Sequence, residues 1–200
     1  MFNLLPIIAV VVSYFLGNIS PAILIGKMVG IDIRNQGSGN AGTTNVLRVL
    51  GKKAAIATFL IDILKGAIAV LIGRYIGGQE LALACGMAAF IGHIWPMIFG
   101  FKGGKGIATA FGIVLTVDPL LGLITCAPVF LLIGITKRVS VGSLVGAILF
   151  PISAYLFDPS YLLWALSMSV IVLITHRKNI NRLFKGEEPK LTFKKKEEAK

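Results

Sequence analysis

The chain has 200 residues, 56% of them hydrophobic and 14% charged, and its mean hydropathy is +0.84. A soluble domain of this size cannot bury so much apolar surface, so composition excludes one and indicates an all-α integral membrane protein built as one helical bundle. The net charge of +11 does not indicate nucleic acid, because the basic residues cluster between apolar runs, as in loops that face the cytoplasm.

About 20 apolar residues cross the hydrocarbon layer as a helix, and the chain divides into seven such segments. Phe2 to Gly26 is the first, with a kink expected at Pro21. Its start lacks the positive flank of a cleaved leader, so it is read as retained. Lys27, the first positive charge, follows it and puts the N-terminus outside. Asp32 to Lys53 is too polar to span. Ala54 to Ile76 is the second span, Gly77 to Glu80 a tight turn, and Leu81 to Gly100 the third. Asp118-Pro119 divides the next apolar region into a short fourth helix, Ile107 to Val117, and a fifth from Leu120 to Thr136. Val141 to Phe157 and Tyr161 to Thr175 follow, joined by a turn at Asp158-Pro159, and the C-terminus is cytoplasmic.

Of 20 Lys and Arg, this division leaves only Arg74 facing out and Lys65 inside a span; a five-span division breaks that alternation. Residues 1–185 therefore read as one transmembrane domain. Residues 186–200 read as a charged tail, with Lys194 to Glu198 expected to be disordered. Cys85 and Cys126 lie in apolar runs and read as small buried hydrophobes. The four-residue spacings Gly73/Gly77, Ala84/Ala88 and Gly142/Gly146 suit close helix packing in lipid.

The polar residues gather on the inner side. Phe99-Gly100-Phe101-Lys102-Gly103-Gly104-Lys105-Gly106 combines glycines, whose backbone N–H groups can turn toward an anion, with two full positive charges. It fits neither the P-loop spacing nor a dinucleotide fingerprint. His93 lies eight residues before Phe101 and faces either this site or a neighbouring helix. Upstream, the run Gln36 to Arg48 supplies Ser38, Asn40, Thr44, Asn45 and Arg48, groups that suit an oxyanion and a polyol together. The same residues also suit a solvated loop capped by Asn40 or Thr44.

Ser140 and Ser143 share a helical face near Lys137 and Arg138 and are placed to reach the site. His176 to Glu188 carries an apolar stripe at Ile180, Leu183 and Phe184, as expected of a short interfacial helix. Asp62 and Lys65, three apart inside a span, read as a structural ion pair near its inner end.

Three stretches closely resemble the acyl-phosphate:glycerol-3-phosphate acyltransferase family of bacterial membranes. They are GSGNAGTTNVLRVLG from Gly37, GHIWPMIFGFKGGKGIATAFG from Gly92 and HRKNINRLFKGEEPK from His176. The chain departs from the usual pattern at Ala41, Thr43, Trp95 and Thr175, none of which removes a proposed polar contact. The resemblance implies transfer of a fatty acyl chain from acyl phosphate to the 1-hydroxyl of glycerol 3-phosphate. The products are lysophosphatidic acid and phosphate, in the first committed step of phospholipid synthesis at the bacterial inner membrane.

It also implies catalytic roles for Ser38, Arg48, His176 and Asn179, glycerol phosphate binding by Lys102, Gly103, Gly104, Lys105 and Gly106, and a structural Glu188. The site would lie on the cytoplasmic side, without cofactor or metal, and the soluble enzyme that makes acyl phosphate is an expected partner. Two anionic substrates explain the excess of cations, since one Lys ~4 Å from a phosphate charge contributes up to about 4 kcal/mol at an effective dielectric near 20. The HxxxxD signature of other glycerolipid acyltransferases is missing, so the general base is either His176 or a substrate phosphate. An anion transporter and an acyl-CoA-dependent acyltransferase are the competing readings.

Overall fold

The computed structural model describes residues 3–191, so the expected disorder at Lys194 to Glu198 lies outside the described residues. Among the described residues there are nine α-helices, three short 3-10 turns and no strand. The first expected span is two helices, α1 (Leu5–Asn18) and α2 (Pro21–Met28), bent by 40°. Pro21 opens α2 and cannot donate a backbone hydrogen bond, so the helix breaks in front of it. After a 3-10 turn at Ile33–Asn35, α3 (Thr43–Val49) is a short helix beside the membrane-embedded elements.

α4 (Lys52–Ile94) is two helical arms joined at Gly77 (φ −149°) and Gly78 (φ 73°), whose backbone is not helical. Its arms, 52–76 and 79–94, fold back on each other. A side-chain carbon on Gly73 would collide with the carbonyl of Leu81 and lie 2.7 Å from Ala82 Cα. Residues eight and nine apart touch that way only in a hairpin. The first arm presents Ile56, Leu60, Leu64 and Leu71 outward and buries Thr58, Asp62, Lys65 and Ala69. That is the inside-out polarity of a helix facing lipid.

A 3-10 turn at Met97–Phe99 leads to α5 (Ile107–Val117), α6 (Pro119–Thr136), α7 (Val139–Phe157), a 3-10 turn at Pro159–Tyr161, α8 (Leu162–Thr175) and α9 (Arg177–Phe184). α9 turns 61° away from α8 and carries Phe184 on an exposed face. The core behind these elements joins Val70, Phe90, Ile113, Phe150, Trp164 and Met168. Gly142 and Gly146 of α7 pack against Val129 and Ile133 of α6.

By length and composition, three helical stretches can cross a membrane, or up to five if each bent pair counts as one span. The sequence division has seven. The two arms of the α4 hairpin, counted separately, account for one of the missing spans, and the other is α5, which at 11 residues is shorter than the hydrocarbon layer is thick.

Candidate active site

The lysine-glycine stretch is not the donor cradle that its glycines suggest. Gly103 N–H donates to Ile94 O and Gly104 N–H to His93 O, both at 3.1 Å. These bonds satisfy carbonyls at the C-terminal end of α4, which have no intrahelical partner. The glycines provide clearance. A side-chain carbon would collide with His93 O at Gly103, with His93 Nε2 at Gly104, and with the Phe90 ring at Gly106. Ile107 and Ala108, in the first turn of α5, line the cavity, and their amides have no acceptor within the helix. Its earliest helical bond, from Ala110 N–H to Gly106 O, begins one turn later.

In front of α5 lies a cavity of about 260 Å³ that gathers remote parts of the chain. Ser38, Asn40, Thr44 and Arg48 come from the loop before α3 and from α3 itself. Lys105 and Gly106 come from the lysine loop, and Ser140 and Ser143 from α7. His176, Asn179, Arg182 and Glu188 come from the C-terminal segment. Lys102 points away and is exposed, and Gly103 and Gly104 stand behind the cavity wall. Of the five loop residues expected to bind substrate, Lys105 and Gly106 line the cavity and the other three do not.

Asn45 lines the cavity too, but its amide is engaged by the loop. It is buried, its Nδ2 donates to Ile33 O (3.0 Å) and Gln36 O (2.9 Å), and its Oδ1 accepts Ser38 N–H at 2.8 Å. With both amide hydrogens engaged by the loop, Asn45 positions Ser38 and has no donor for substrate. The turns it clamps include Gly37 (φ +58°) and Gly39 (φ +72°), in the left-handed region that glycine adopts without a Cβ clash.

At the opposite wall, Glu188 is the hub. Its Oε1 accepts Ser140 Oγ–H (2.7 Å) and Asn179 Nδ2–H (2.6 Å), while Oε2 pairs with Arg182 Nε at 2.7 Å. Burial works to raise its carboxyl, but the bonds from Ser140, Arg182 and Asn179 outweigh burial and hold it below its ordinary value. A domain boundary at residue 185 would put Glu188 in a tail. In the structure it is buried, Arg138 Nε holds its backbone carbonyl at 2.9 Å, and the catalytic unit runs at least to Glu188. Arg182, absent from the sequence-derived site, belongs to it. Its only sequence signal is a cation six residues before an acid.

Lys105 Nζ donates to Asn179 Oδ1. Burial lowers the Lys105 ammonium to about 8; the charge of Glu188 opposes the shift, and Arg182 and Arg48 add to it. His176 Nδ1 donates to Val172 O at 2.9 Å, which leaves Nε2 as an acceptor. Burial and then the Lys105 charge bring His176 down to about 4, against opposing effects from the Val172 bond and Glu188. The imidazole is therefore neutral at ordinary pH.

His93 and Asp62 also line this cavity. Asp62 pairs with Lys65 at 2.8 Å, as the sequence spacing suggests. An apolar chamber of about 140 Å³ adjoins the polar cavity and shares Phe59, Ile107, Phe130, Ile133, Val139 and Ser143 with it.

Residues 7–186 match the family model described as glycerol-3-phosphate acyltransferase. A glycerol-3-phosphate acyltransferase of Thermoanaerobacter sp. (strain X514) is 46% identical over 188 residues, covering 92% of this chain and 95% of that protein. One from Clostridioides difficile (strain 630) is 46% identical over 197 residues, covering 94% and 97%. The crystal structure of PlsY (YgiH), an integral membrane glycerol 3-phosphate acyltransferase, in its glycerol 3-phosphate form superposes with a TM-score of 0.89 at 36% identity. It covers 94% of this chain and 96% of that one. Its lysophosphatidic acid form gives a TM-score of 0.83 at 35% identity. A family match across almost the whole chain, carried through the motifs that build the cavity, makes this protein a member of the glycerol-3-phosphate acyltransferase family.

Proposed function

We propose that this protein transfers a fatty acyl group from a long-chain acyl phosphate to the 1-hydroxyl of glycerol 3-phosphate, giving lysophosphatidic acid and inorganic phosphate. The observation that carries this reading is the shared wall between a cationic cavity and an apolar chamber. One accepts phosphate head groups and the other an acyl chain. Arg48, Lys105 and the first amides of α5 supply positive potential for two phosphates. The hydroxyl oxygen attacks the acyl carbonyl carbon, the tetrahedral oxyanion is stabilised by these donors, and the bond to the phosphate oxygen breaks.

The hydroxyl proton goes to His176 Nε2 or to a substrate phosphate, whose second pKa near 6 makes it a comparable acceptor. Ser38, held by Asn45, is placed to orient the glycerol, and Asn179 to hold Lys105. Asn40, Thr44 and Ser143 complete the polar lining. The enzyme would span the bacterial inner membrane seven times with the N-terminus outside, its site at the cytoplasmic face among the basic loops. There it would receive donor from the soluble enzyme that makes acyl phosphate and take part in the committed step of phospholipid synthesis.

The test gives purified protein a long-chain acyl phosphate and glycerol 3-phosphate, with lysophosphatidate as the product sought. Turnover only with acyl-CoA would reverse the donor assignment, and no turnover with either would revive anion transport. In the same assay His176→Ala is severely impaired. Near-full activity with an unchanged pH profile would leave the substrate phosphate as the base.

A further inference from the structure

The chain has two histidines, both line one cavity, and their rings are partnered in opposite senses. His176 Nδ1 faces a backbone carbonyl, an acceptor only, so Nδ1 carries the hydrogen and Nε2 the lone pair. His93 Nδ1 lies 2.8 Å from Lys65 Nζ, and an ammonium only donates. Two donors do not face each other at that distance. His93 Nδ1 is therefore the acceptor, and Nε2 carries the hydrogen.

The surroundings hold this arrangement in place. Lys65 Nζ places its other two hydrogens on Gly17 O (3.0 Å) and Ile19 O (2.6 Å), and Asp62 Oδ1, 2.8 Å away, is an ion-pair partner that receives no hydrogen bond. Asp62 Oδ1 is 3.3 Å from His93 Nδ1. In the rival arrangement, Nδ1–H pointing at the carboxylate, that hydrogen would press on the ammonium. A bare Asp–His pair leaves Nε2 as a base. An ammonium set between them reverses the ring.

His93 is only 5% exposed, yet it borders the cavity, and the structure records no acceptor for Nε2 among the described residues. Nε2 stands over the Cα of Gly104, where any side chain would collide with it, and Gly104 precedes Lys105 in the loop that enters the cavity. We propose that His93 is a further substrate-binding residue, a neutral Nε2–H donor whose tautomer is set by Lys65 and which bonds a phosphate oxygen of glycerol 3-phosphate beside Lys105. The proposal rests on the acyltransferase reading above. The two histidines then divide the work by tautomer: His93 donates to the anion, and His176 accepts.

Nitrogen NMR of the full chain, labelled at histidine and held in lipid nanodiscs, reads the tautomers directly. His93 should show a protonated Nε2 and an unprotonated Nδ1, and His176 the reverse. Added glycerol 3-phosphate should shift the His93 Nε2 signal, and inorganic phosphate, lacking the glycerol, should do so only at higher concentration.

In steady-state kinetics, His93→Leu should raise the KM for glycerol 3-phosphate about 10- to 100-fold, as for one lost bond to a charged group, with a smaller change in kcat. His93→Gln, which can return an amide N–H near the Nε2 position, should recover part of the loss. A protonated Nδ1 on His93, a signal unmoved by glycerol 3-phosphate, or a folded His93→Leu with unchanged KM would each overturn the proposal. Absence of turnover by the unaltered enzyme would instead overturn the acyltransferase reading, and the spectra would still decide the tautomer.

Discussion

Asn179 Nδ2 donates to Glu188 Oε1 at 2.6 Å, while the oxygen of the same amide accepts the Lys105 ammonium. One uncharged side chain thus separates a buried carboxylate from a half-buried cation and bonds both. Asn179→Asp would set two carboxylates against each other, and Asn179→Leu would leave Lys105 unheld. An unpaired buried polar group costs about 1–3 kcal/mol, so kcat/KM for glycerol 3-phosphate should fall about 10- to 100-fold in either variant. Glu188→Gln keeps the shape but loses the ion pair to Arg182, and it should lower the melting temperature more than it raises KM. Purified variants assayed in one detergent give both readings.

The glycines of the lysine loop should separate by geometry. Gly103→Ala and Gly104→Ala put a carbon into His93 O and into the His93 ring. Both should lose most activity and melt at lower temperature. Gly100 has φ +65° but nothing within 4 Å of an added carbon, so Gly100→Ala carries only the left-handed backbone cost of about 1–2 kcal/mol. Its KM should stay near that of the unaltered enzyme. Thermal melts alongside initial rates would distinguish clearance from anion binding as the purpose of these positions.

Charge on Lys105 sets an alkaline limit. With its pKa lowered to about 8, the ammonium is present below that pH and lost above it, so kcat/KM should decline through about pH 8. Lys105→Arg should abolish that limb if the longer side chain is accommodated, because a guanidinium stays charged. In the substrate complex a bound phosphate favours the cation, so the limb in kcat should lie at higher pH.

His176 acts at the other end of the scale. Its folded pKa of about 4 lies below the ordinary 6.5, so the unfolded chain binds the extra proton first. The stability it contributes is present above 6.5 and is lost as pH falls toward 4, by roughly 3 kcal/mol at most. Melting temperature against pH, compared with His176→Gln, should show a shallower acid decline in the variant.

The wall between the chambers should set chain length. Phe130 and Ile133 of α6 line both cavities. Ile133→Trp takes volume from the apolar chamber and should shift preference toward shorter acyl phosphates while leaving the KM for glycerol 3-phosphate nearly unchanged. A series of donors of increasing length, compared by kcat/KM, checks this directly.

Polarity alone makes much of the arrangement legible in the sequence. Runs of apolar residues mark the helices, and the grouping of Ser38, Arg48, Lys105 and His176 on one side follows from which loops carry charge. Directions of individual amides are not legible. Whether Gly103 and Gly104 turn their N–H groups toward an anion or toward α4 depends on where that helix stops and the chain reverses, at Trp95 and Pro96. Asn45 presents the same difficulty: an Asn in a polar loop reads alike as ligand or clamp until its two hydrogens find Ile33 O and Gln36 O. Residue 188 looks like tail because Gly186 and the charges around it resemble a linker. Its partners Ser140 and Asn179 are 48 and nine residues away.

Pro21 has no N–H to offer Gly17 O, and Lys65 supplies the missing donor to that carbonyl from another helix. In lipid, apolar side chains favour contact with hydrocarbon as much as with each other, so an oily helix such as α1 has little reason to prefer one rotation or height over the next. A single ammonium gripping Gly17 O, Ile19 O and, on the second arm of α4, His93 Nδ1, with Asp62 paired beside it, removes that freedom. The defect left by a proline thus becomes the fixed point that sets the register of α1 against both arms of α4.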